Sequence, residues 1–201
     1  EHDDCRDLAS EWGRRLTEVE TTEYDDDWVG RYHAIKSEVK TLNLNPSIAF
    51  KPNDQLSLAV GLSAMYIEGE FTNAIDFGTL NVIPAGLGGL GGALGPVGPG
   101  QADGSSRITG DSWGWGFNLG ALYEFSDATR LGIHFRSKVK QNLKGDADFK
   151  VPAAPLGAVF SDTDVKADVD LPATLSLSGV HQLNPDWSIL ADYTWTGWSS
   201  I

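Results

Sequence analysis

The chain has 201 residues, of which 41% are hydrophobic and 10% aromatic, and its net charge is −13. No run of 18 apolar residues is present, which excludes a membrane protein built from apolar helices, and the acidic excess argues against a nucleic-acid-binding protein. The single cysteine, Cys5, and the scattered His2, His33, His134 and His181 offer no disulfide and no metal-ligand spacing. We therefore expect neither a metal nor another cofactor.

The first 22 residues differ in pattern from the rest. Leu8, Trp12, Leu16 and Val19 recur at helical spacing among charged residues, which predicts a short amphipathic helix. Such a helix lies on the surface, stands apart from the fold as a stray segment, faces the membrane, or plugs the barrel. The acidic run at 25–27 lacks the glycine and the distant glutamate of a calcium-binding loop, so we expect it to be solvated.

Two strands are predicted between residues 38 and 72. Apolar and polar side chains alternate from Glu38 to Lys51, with Pro46 in the middle, where the missing backbone donor predicts a kink. The sequence Pro-Asn-Asp at 52–54 predicts a tight turn. Alternation resumes at Leu56 and continues to about residue 72.

Residues 73–110 are rich in Gly, Leu and Pro and predict a long loop. Gly86, Gly88 and Gly91 match a dinucleotide-binding pattern, but the required strand and helix context is missing, and glycine-rich runs match by chance. The loop also carries apolar side chains, which should not remain in water. These are Leu87, Leu90, Leu94 and Val97. They predict either a lid over a barrel or a landing site for a hydrophobic ligand.

The clearest pattern runs from Asp111 to Lys144. Every second residue from Trp113 to Phe125 is apolar, and the alternation continues after the polar link 126–129 up to Leu143. Runs of ten or more alternating residues exceed the roughly 5–6 of globular strands and fit the roughly 9–11 of membrane-crossing strands. Aromatic residues gather near the ends of the apolar face, as in the interfacial girdles of outer-membrane barrels.

A second long loop is predicted at 145–163, followed by a strand from Asp164 to about Gln182, a turn at 184–186 and a last strand with aromatic residues near both ends. The odd-numbered apolar residues of the strand from Asp164 are expected to share one face. Short and long connections therefore alternate, which is typical of a barrel with short periplasmic turns and long external loops. The pattern predicts an all-β transmembrane antiparallel β-barrel of about six strands over residues 23–201.

The inner face of the hairpin suggests a binding site. Gly114, Gly116 and Gly120 leave space there, and by parity four cationic or titratable side chains point to the same side. These are His134, Arg136, Lys138 and Lys140. A fatty acid needs an apolar slot for its chain and a cation for its carboxylate.

A structural role for the two lysines remains open. Lys138 and Lys140 could pair with Asp168 and Asp170 across the next strand. No nucleophile, base and orienting residue occur in a catalytic pattern, so transport or binding is predicted rather than catalysis.

Six stretches together resemble the FadL-type transporters of long-chain fatty acids and other hydrophobic compounds. They are 30–34, 40–47, 112–118, 135–140, 171–174 and 194–199. The resemblance implies a fourteen-stranded barrel in the outer membrane of a Gram-negative bacterium. It also implies an amino-terminal plug, capture of the ligand by external loops and release sideways through the wall.

The resemblance further implies a monomer surrounded by outer-membrane lipid, with a hydrophobic small molecule as its partner and no nucleic acid. Six strands then predict a partial chain. Three alternatives stay open at this point: a channel for aromatic or alkane hydrocarbons, a general porin, and a surface receptor.

Overall fold

The computed structural model describes residues 17–153, 156–157 and 159–198, which form one antiparallel sheet of ten strand segments. The segments are β1 (Thr17–Glu23), β2 (Lys36–Leu44), β3 (Ser47–Asn53), β4 (Leu56–Asp76), β5 (Asp103–Ser126), β6 (Thr129–Arg136), β7 (Val139–Lys150), β8 (Thr163–Leu171), β9 (Thr174–Asn184) and β10 (Trp187–Thr196). A six-residue helix, α1 (Phe77–Val82), and a 3-10 turn, Ala85–Leu87, lie between β4 and β5. Within these ranges no helix has the length and apolar character needed to cross a membrane.

In each of three pairs of segments, the two segments are the halves of one interrupted strand. Both β2 and β3 pair with β4, both β6 and β7 pair with β5, and β8 and β9 pair with β7 and β6. Counting each pair once gives seven antiparallel strands in the described part of the chain. The predicted all-β antiparallel wall is confirmed, with one strand more than the sequence predicts because β1 pairs with β2.

The helix predicted near the amino terminus is not what its described residues form. Thr17–Glu23 is a strand, and Val19 pairs with Lys40 of β2. The edge of β2 provides backbone hydrogen-bond partners for this segment, and this tertiary contact outweighs the local helical spacing. The other three residues of that predicted helix, up to Leu16, lie outside the described residues.

The predicted kink and tight turns are confirmed. β2 ends at Leu44 and β3 begins at Ser47, so the ladder is interrupted at Pro46. At one end of the sheet, the Asn53 side-chain oxygen accepts hydrogen bonds from the backbone N–H groups of residues 55 and 56, both at 2.9 Å. Asn184 repeats this arrangement with residues 186 and 187, both at 3.0 Å.

The long connections lie at the opposite end and are shorter than predicted, because the strands that flank them are longer. β4 extends to Asp76 and β5 begins at Asp103, so the first long loop is 77–102 rather than 73–110. β7 extends to Lys150 and β8 begins at Thr163, so the second long loop is 151–162 rather than 145–163. β4 pairs with β5, and β7 pairs with β5 and β8. This backbone pairing continues past the point where the apolar alternation fades.

The two long loops meet at a small aromatic cluster. Phe77, the first residue of α1, is fully buried, and its ring lies edge to face on Phe160 with 5.0 Å between ring centroids. Phe160 also contacts Phe149 of β7, at 6.2 Å. Gly104 makes room for Phe77, since a Cβ there would lie 2.5 Å from the Phe77 ring. Both loops are thereby fixed over the end of the sheet.

Candidate ligand-binding interior

The two faces of the sheet are distinguished on β5. The outer face is the one that carries Trp113, Phe117 and Leu119, all substantially exposed. The inner face carries the residues between them, including Asn118, which is buried. Residues that are directly paired across an antiparallel ladder lie on the same face, so these two definitions extend to every strand through its register.

The register changes between β6 and β7. Asn118 pairs with Arg136, whereas Asp111 pairs with Lys144. Seven steps along β5 therefore correspond to eight along β6 and β7, and the extra residue lies at 137–138, which belongs to neither segment. We call this interruption, together with the gap at 172–173 between β8 and β9, the break.

The break reverses the parity of the inner face, because side chains alternate along a strand and one extra residue shifts the alternation. Before it, the even-numbered His134 lies near Gly120, where a Cβ would be 4.0 Å from the His134 ring. After it, the odd-numbered Val139 and Gln141 face inward. A Cβ on Gly114 would lie 2.5 Å from Val139 Cγ1 and 2.6 Å from Gln141 Nε2.

The same reversal occurs in the neighbouring strand. Leu171 pairs with Val139 and Thr174 pairs with Arg136, so residues 171 and 174 both face inward although they are three apart. The prediction that the apolar residues of this strand share one face is therefore wrong. Val165, Ala167, Val169 and Leu171 lie on the inner face, whereas Leu175 and Leu177 lie on the outer face.

The four predicted cationic residues do not form one inward row. His134 and Arg136 are on the inner face, paired with Ser176 and Thr174. Lys140 pairs with Asp170 on the outer face, and Lys138 at the break makes an ion pair with the same carboxylate. The prediction of a shared face is wrong because it extends the parity of β6 through the break, whereas the pairing of Lys138 with Asp170 agrees with the structural alternative.

Below the break, toward the short turns, the outer face is apolar. We call this part the turn-side half. Its outer residues Leu62 and Trp115 are 62% and 72% exposed, as expected for a surface that contacts lipid. Its inner face is small and polar: Ser63 Oγ donates to Asn43 Oδ1 at 2.7 Å. The exposed apolar surface of this half is thus on the outside of the wall.

Above the break, toward the long loops, the polarity of the two faces is exchanged. We call this part the loop-side half. Its outer face carries charged side chains, including Arg107, whose guanidinium donates to Glu70 at 2.7 Å. Its inner face carries Ile67, Phe71, Ile108, Leu143 and Ala147. Charged groups are costly in hydrocarbon, so this half extends into water and turns its apolar face inward.

An aromatic pair marks the level of the exchange on β4 and β5. Tyr66 and Trp113 are paired on the outer face, with 5.3 Å between ring centroids. The next outer residues toward the long loops are Glu68 and Asp111. Aromatic side chains favour the boundary between hydrocarbon and water, and this pair lies where apolar outer residues give way to charged ones.

Gln141 occupies the inner face just above the break and was not singled out by its sequence pattern. Its side chain is fully buried, and Nε2 donates to the backbone carbonyl of Met65 at 3.2 Å, across Gly114. Its Oε1 has no hydrogen-bond partner, alone among buried side-chain oxygen and nitrogen atoms of the described residues. Gly114 leaves the space that this side chain fills, since a Cβ there would lie 2.6 Å from Gln141 Nε2.

The first long loop is organised by the hydrogen bonds of Asn81. Asn81 is buried; Nδ2 donates to the carbonyls of Gly95 and Val97, and Oδ1 accepts from Leu94 N–H, all at 2.9 Å. Leu87 is 79% exposed. Five loop glycines adopt positive φ, a region that glycine occupies at little cost.

An open cleft of about 790 Å³ lies in this loop, lined by Asn81, Val82 and Val97 among others. Of the four apolar loop residues predicted as a landing site, Val97 lines the cleft, and Leu90 and Leu94 are half-buried beside the loop backbone. The loop therefore offers apolar surface at the mouth of the inner face.

The loop is fastened to the wall at both ends. Asp76 accepts hydrogen bonds from Thr79 N–H and Oγ1–H and from Gly100 N–H, at 2.8, 2.5 and 3.0 Å. Burial raises the pKa of this carboxyl, but the hydrogen bonds from Thr79 and Gly100 outweigh it and hold the pKa below the ordinary value. Near the same place, Arg31 Nε donates to Asp103 at 2.8 Å. No group of His, Cys, Asp and Glu side chains in the described ranges could hold a metal ion.

Comparisons with known proteins agree with this geometry. A model of the outer membrane protein transport protein family (OMPP1/FadL/TodX) matches residues 17–201. The long-chain fatty acid transport protein of Escherichia coli strain K12 is 30% identical over 212 residues, covering 94% of this chain and 47% of that protein. The chain spans about half the length of the curated relatives it matches.

Solved structures extend the likeness to the fold. A FadL homologue from Pseudomonas aeruginosa superposes with a TM-score of 0.73 at 27% identity, over 92% of this chain and 45% of that one. The toluene transporter TbuX of Ralstonia pickettii superposes with a TM-score of 0.62 at 21% identity, over 92% and 50%. The predicted barrel wall and its outer-membrane location are confirmed, and the chain belongs to the outer membrane protein transport protein family of OMPP1, FadL and TodX.

Proposed function

We propose that this chain forms part of the wall of an outer-membrane channel that takes up hydrophobic compounds, with long-chain fatty acids as the principal ligands. The likeness to the long-chain fatty acid transport protein supports this choice. The role is transport without covalent chemistry, by a monomer held in outer-membrane lipid.

The observation that carries the proposal is the exchange of polarity between the two halves. An apolar inner face above the membrane has no lipid to contact, so it serves a ligand or other apolar groups inside the barrel. Transfer of a methylene from water to such a surface gains about 0.8 kcal/mol, so a chain of several methylenes would be held there. A general porin would instead need a polar, water-filled interior at this level.

The order of contacts follows from where the apolar surfaces lie. The first long loop offers Leu87, Leu90, Leu94 and Val97 at the outer end, which suits a shallow and reversible first contact. The ligand then passes to the inner face of the loop-side half, beside Phe71 and Ile108, and from there toward the small and polar inner face below the break.

Arg136 and His134 are the inner-face groups that we assign to the carboxylate. A cavity of about 300 Å³ lies beside His134, between Gly120, Gly132 and Ser176. A guanidinium forms charge-assisted hydrogen bonds with a carboxylate. Arg136 is the next inner-face residue of β6 after His134, on the side toward the break. Lys138 and Lys140 have no part in this assignment.

A matched pair of substitutions tests the channel. Ile108→Lys places a charge on the inner face, whereas Thr109→Lys places the same charge on the outer face beside Asp146. We expect Ile108→Lys to reduce uptake of a labelled fatty acid at least tenfold in reconstituted vesicles, with Thr109→Lys close to the unsubstituted protein. Equal uptake by both variants, or large and steady ion currents from the unsubstituted protein, would contradict the proposal.

A further inference from the structure

Gln141 is a buried polar group whose hydrogen bonding is incomplete. Its amide nitrogen is satisfied by the Met65 carbonyl, but its Oε1 has no donor. Buried acceptors are nearly always paired in folded proteins, and an unpaired one is unfavourable. The site therefore favours any species that brings a donor to this oxygen.

The orientation of the amide is fixed by its surroundings. Exchanging its nitrogen and oxygen would place Oε1 against the Met65 carbonyl oxygen, with no proton between them. The unpaired atom of Gln141 is therefore an acceptor, which selects ligands by a hydrogen-bond donor and disfavours ligands that carry only acceptors.

The backbone ladder beside Gln141 is interrupted, and Ser137 N–H donates to the Phe117 carbonyl at 2.9 Å while side chains add further contacts. Residues 112–117 of β5 have no paired partners in β6 or β7. The Oγ of Ser112 accepts from Asn142 N–H at 3.1 Å, and the Oγ of Ser137 accepts from Phe117 N–H at 2.9 Å. Gln141 Oε1 is fully buried, so a ligand reaches it only when this stretch opens locally, which contacts of this kind resist less than a regular ladder does.

We propose that Gln141 Oε1 accepts a hydrogen bond from a hydrophobic ligand that carries a neutral O–H group, such as a long-chain alcohol, a phenol or an un-ionised carboxylic acid. The chain of this ligand lies along the apolar inner face of the loop-side half. A neutral amide among Val139 and Leu143 does not compensate a carboxylate charge, and Arg136 lies on the other side of the break. The inference rests on the proposed function, since the ligand has to enter the interior.

The test compares dodecanol with its isomer methyl undecyl ether, which has the same atoms but no O–H donor. Binding of each is measured by displacement of a fluorescent fatty-acid probe from the protein in detergent. We expect the alcohol to bind about tenfold more tightly than the ether, the effect of one buried hydrogen bond. Gln141→Met keeps the volume and removes the acceptor, so the ratio should fall to about one. Asn142→Ala, on the outer face next to it, should keep the ratio.

Gly114→Ala provides a second variant that leaves the amide intact. Its Cβ would lie 2.6 Å from Gln141 Nε2, so it displaces the side chain, and we expect the same loss of preference for the alcohol. An unchanged ratio in Gln141→Met, or equal binding of alcohol and ether by the unsubstituted protein, would overturn the inference and leave the proposed function standing. Failure of the unsubstituted protein to bind the probe or either compound would overturn both.

Discussion

The β4–β5 hairpin and the strands from β6 to β9 reach the same arrangement of faces in different ways. In β4 and β5 the backbone alternation is continuous from Leu56 to Asp76 and from Asp103 to Ser126. The residue types change instead, so that apolar side chains leave the outer face and appear on the inner face near Tyr66 and Trp113. A change of sequence is enough there, because the register need not shift.

From β6 to β9 the residue pattern stays constant and the backbone changes. Apolar residues are odd-numbered on both sides of the break, and one extra residue at 137–138 turns their side chains from lipid to interior. The gap at 172–173 does the same in the partner strand, so the two strands stay in register with each other. The inner apolar surface is therefore specified twice, once by composition and once by register.

The largest effect is expected from deletions that change the register of a strand without changing its composition pattern. Deleting Asn142 would turn Lys144, Asp146 and Asp148 into the apolar interior. Each unpaired buried charge costs several kcal/mol, which together exceed the roughly 5–15 kcal/mol stability of a typical domain. We expect no folded barrel, measured as loss of the heat-modifiable species on an electrophoretic gel.

Deleting Ser137 together with Ala173 is the matched control. It removes the extra residue from both strands and leaves every other residue on its present face, so a folded barrel should form. If the double deletion also failed to fold while single deletions within β7 were tolerated, the register account of the inner face would be wrong.

The next effect concerns the two sides of the break. Arg136→Gln, on the inner face, should weaken binding of a fatty acid relative to its alcohol by about 1.5–3 kcal/mol, the range for a hydrogen bond to a charged group. Lys140→Gln, on the outer face, should leave that difference unchanged. Titration calorimetry with both ligands gives the comparison, and a larger selective loss for Lys140→Gln would reverse the assignment.

A smaller effect is expected where β5 faces the break. Gly114→Ala brings a Cβ within 2.7 Å of the Lys140 carbonyl oxygen, whereas at Gly120 the nearest atom would be 3.7 Å away. Crowding of this kind costs at the lower end of roughly 1–3 kcal/mol. Urea unfolding in lipid vesicles should show Gly114→Ala destabilised and Gly120→Ala near the unsubstituted protein, and equal midpoints would mean that the break can relax freely.

The smallest effect is a pH-dependent loosening of the first long loop. The lowered pKa of Asp76 stabilises the loop fully above the ordinary carboxyl pKa of about 3.9, and this contribution is lost as the pH falls through the lowered value. Hydrogen exchange over residues 77–102 should therefore accelerate in acid. Asp76→Ala should lower the free energy of local opening by about 1 kcal/mol already at neutral pH, the usual contribution of a helix cap, and exchange should be faster as a result. An unchanged exchange profile would show that Phe77 alone holds the loop.

Much of the fold could be predicted because alternation, turn residues and aromatic positions are local signals. The turns at Asn53 and Asn184, the kink at Pro46 and the lipid-facing residues of β5 all follow from patterns within a few residues. The break could not be predicted, because apolar residues resume at odd-numbered positions with Val139, so that Ser137 resembles a single polar residue within a continuous strand. Its existence is visible only in the different registers that β6 and β7 adopt against β5.

The candidate site divides along the same line. The inward placement of His134 and Arg136 could be predicted because they lie in β6, before the break. The outer-face position of Lys140 and the position of Lys138 at the break could not be predicted. Gln141 could not be predicted as a site residue either, because a lone amide in a strand carries no sequence signal. The role of the buried Asn81 could not be predicted for a similar reason, because two of its partners are carbonyls 14 and 16 residues further along the loop.

The most direct test is a nitroxide scan of consecutive positions from Leu131 to Lys144 in the folded, lipid-embedded protein. We predict that odd positions up to Phe135 are accessible to oxygen from the lipid. Beyond the break, the even positions 140, 142 and 144 should be accessible to a water-soluble nickel reagent, with 141 and 143 protected. The accessible parity thus changes once, at 137–138. An alternation that keeps odd positions outward through the whole scan would contradict the account.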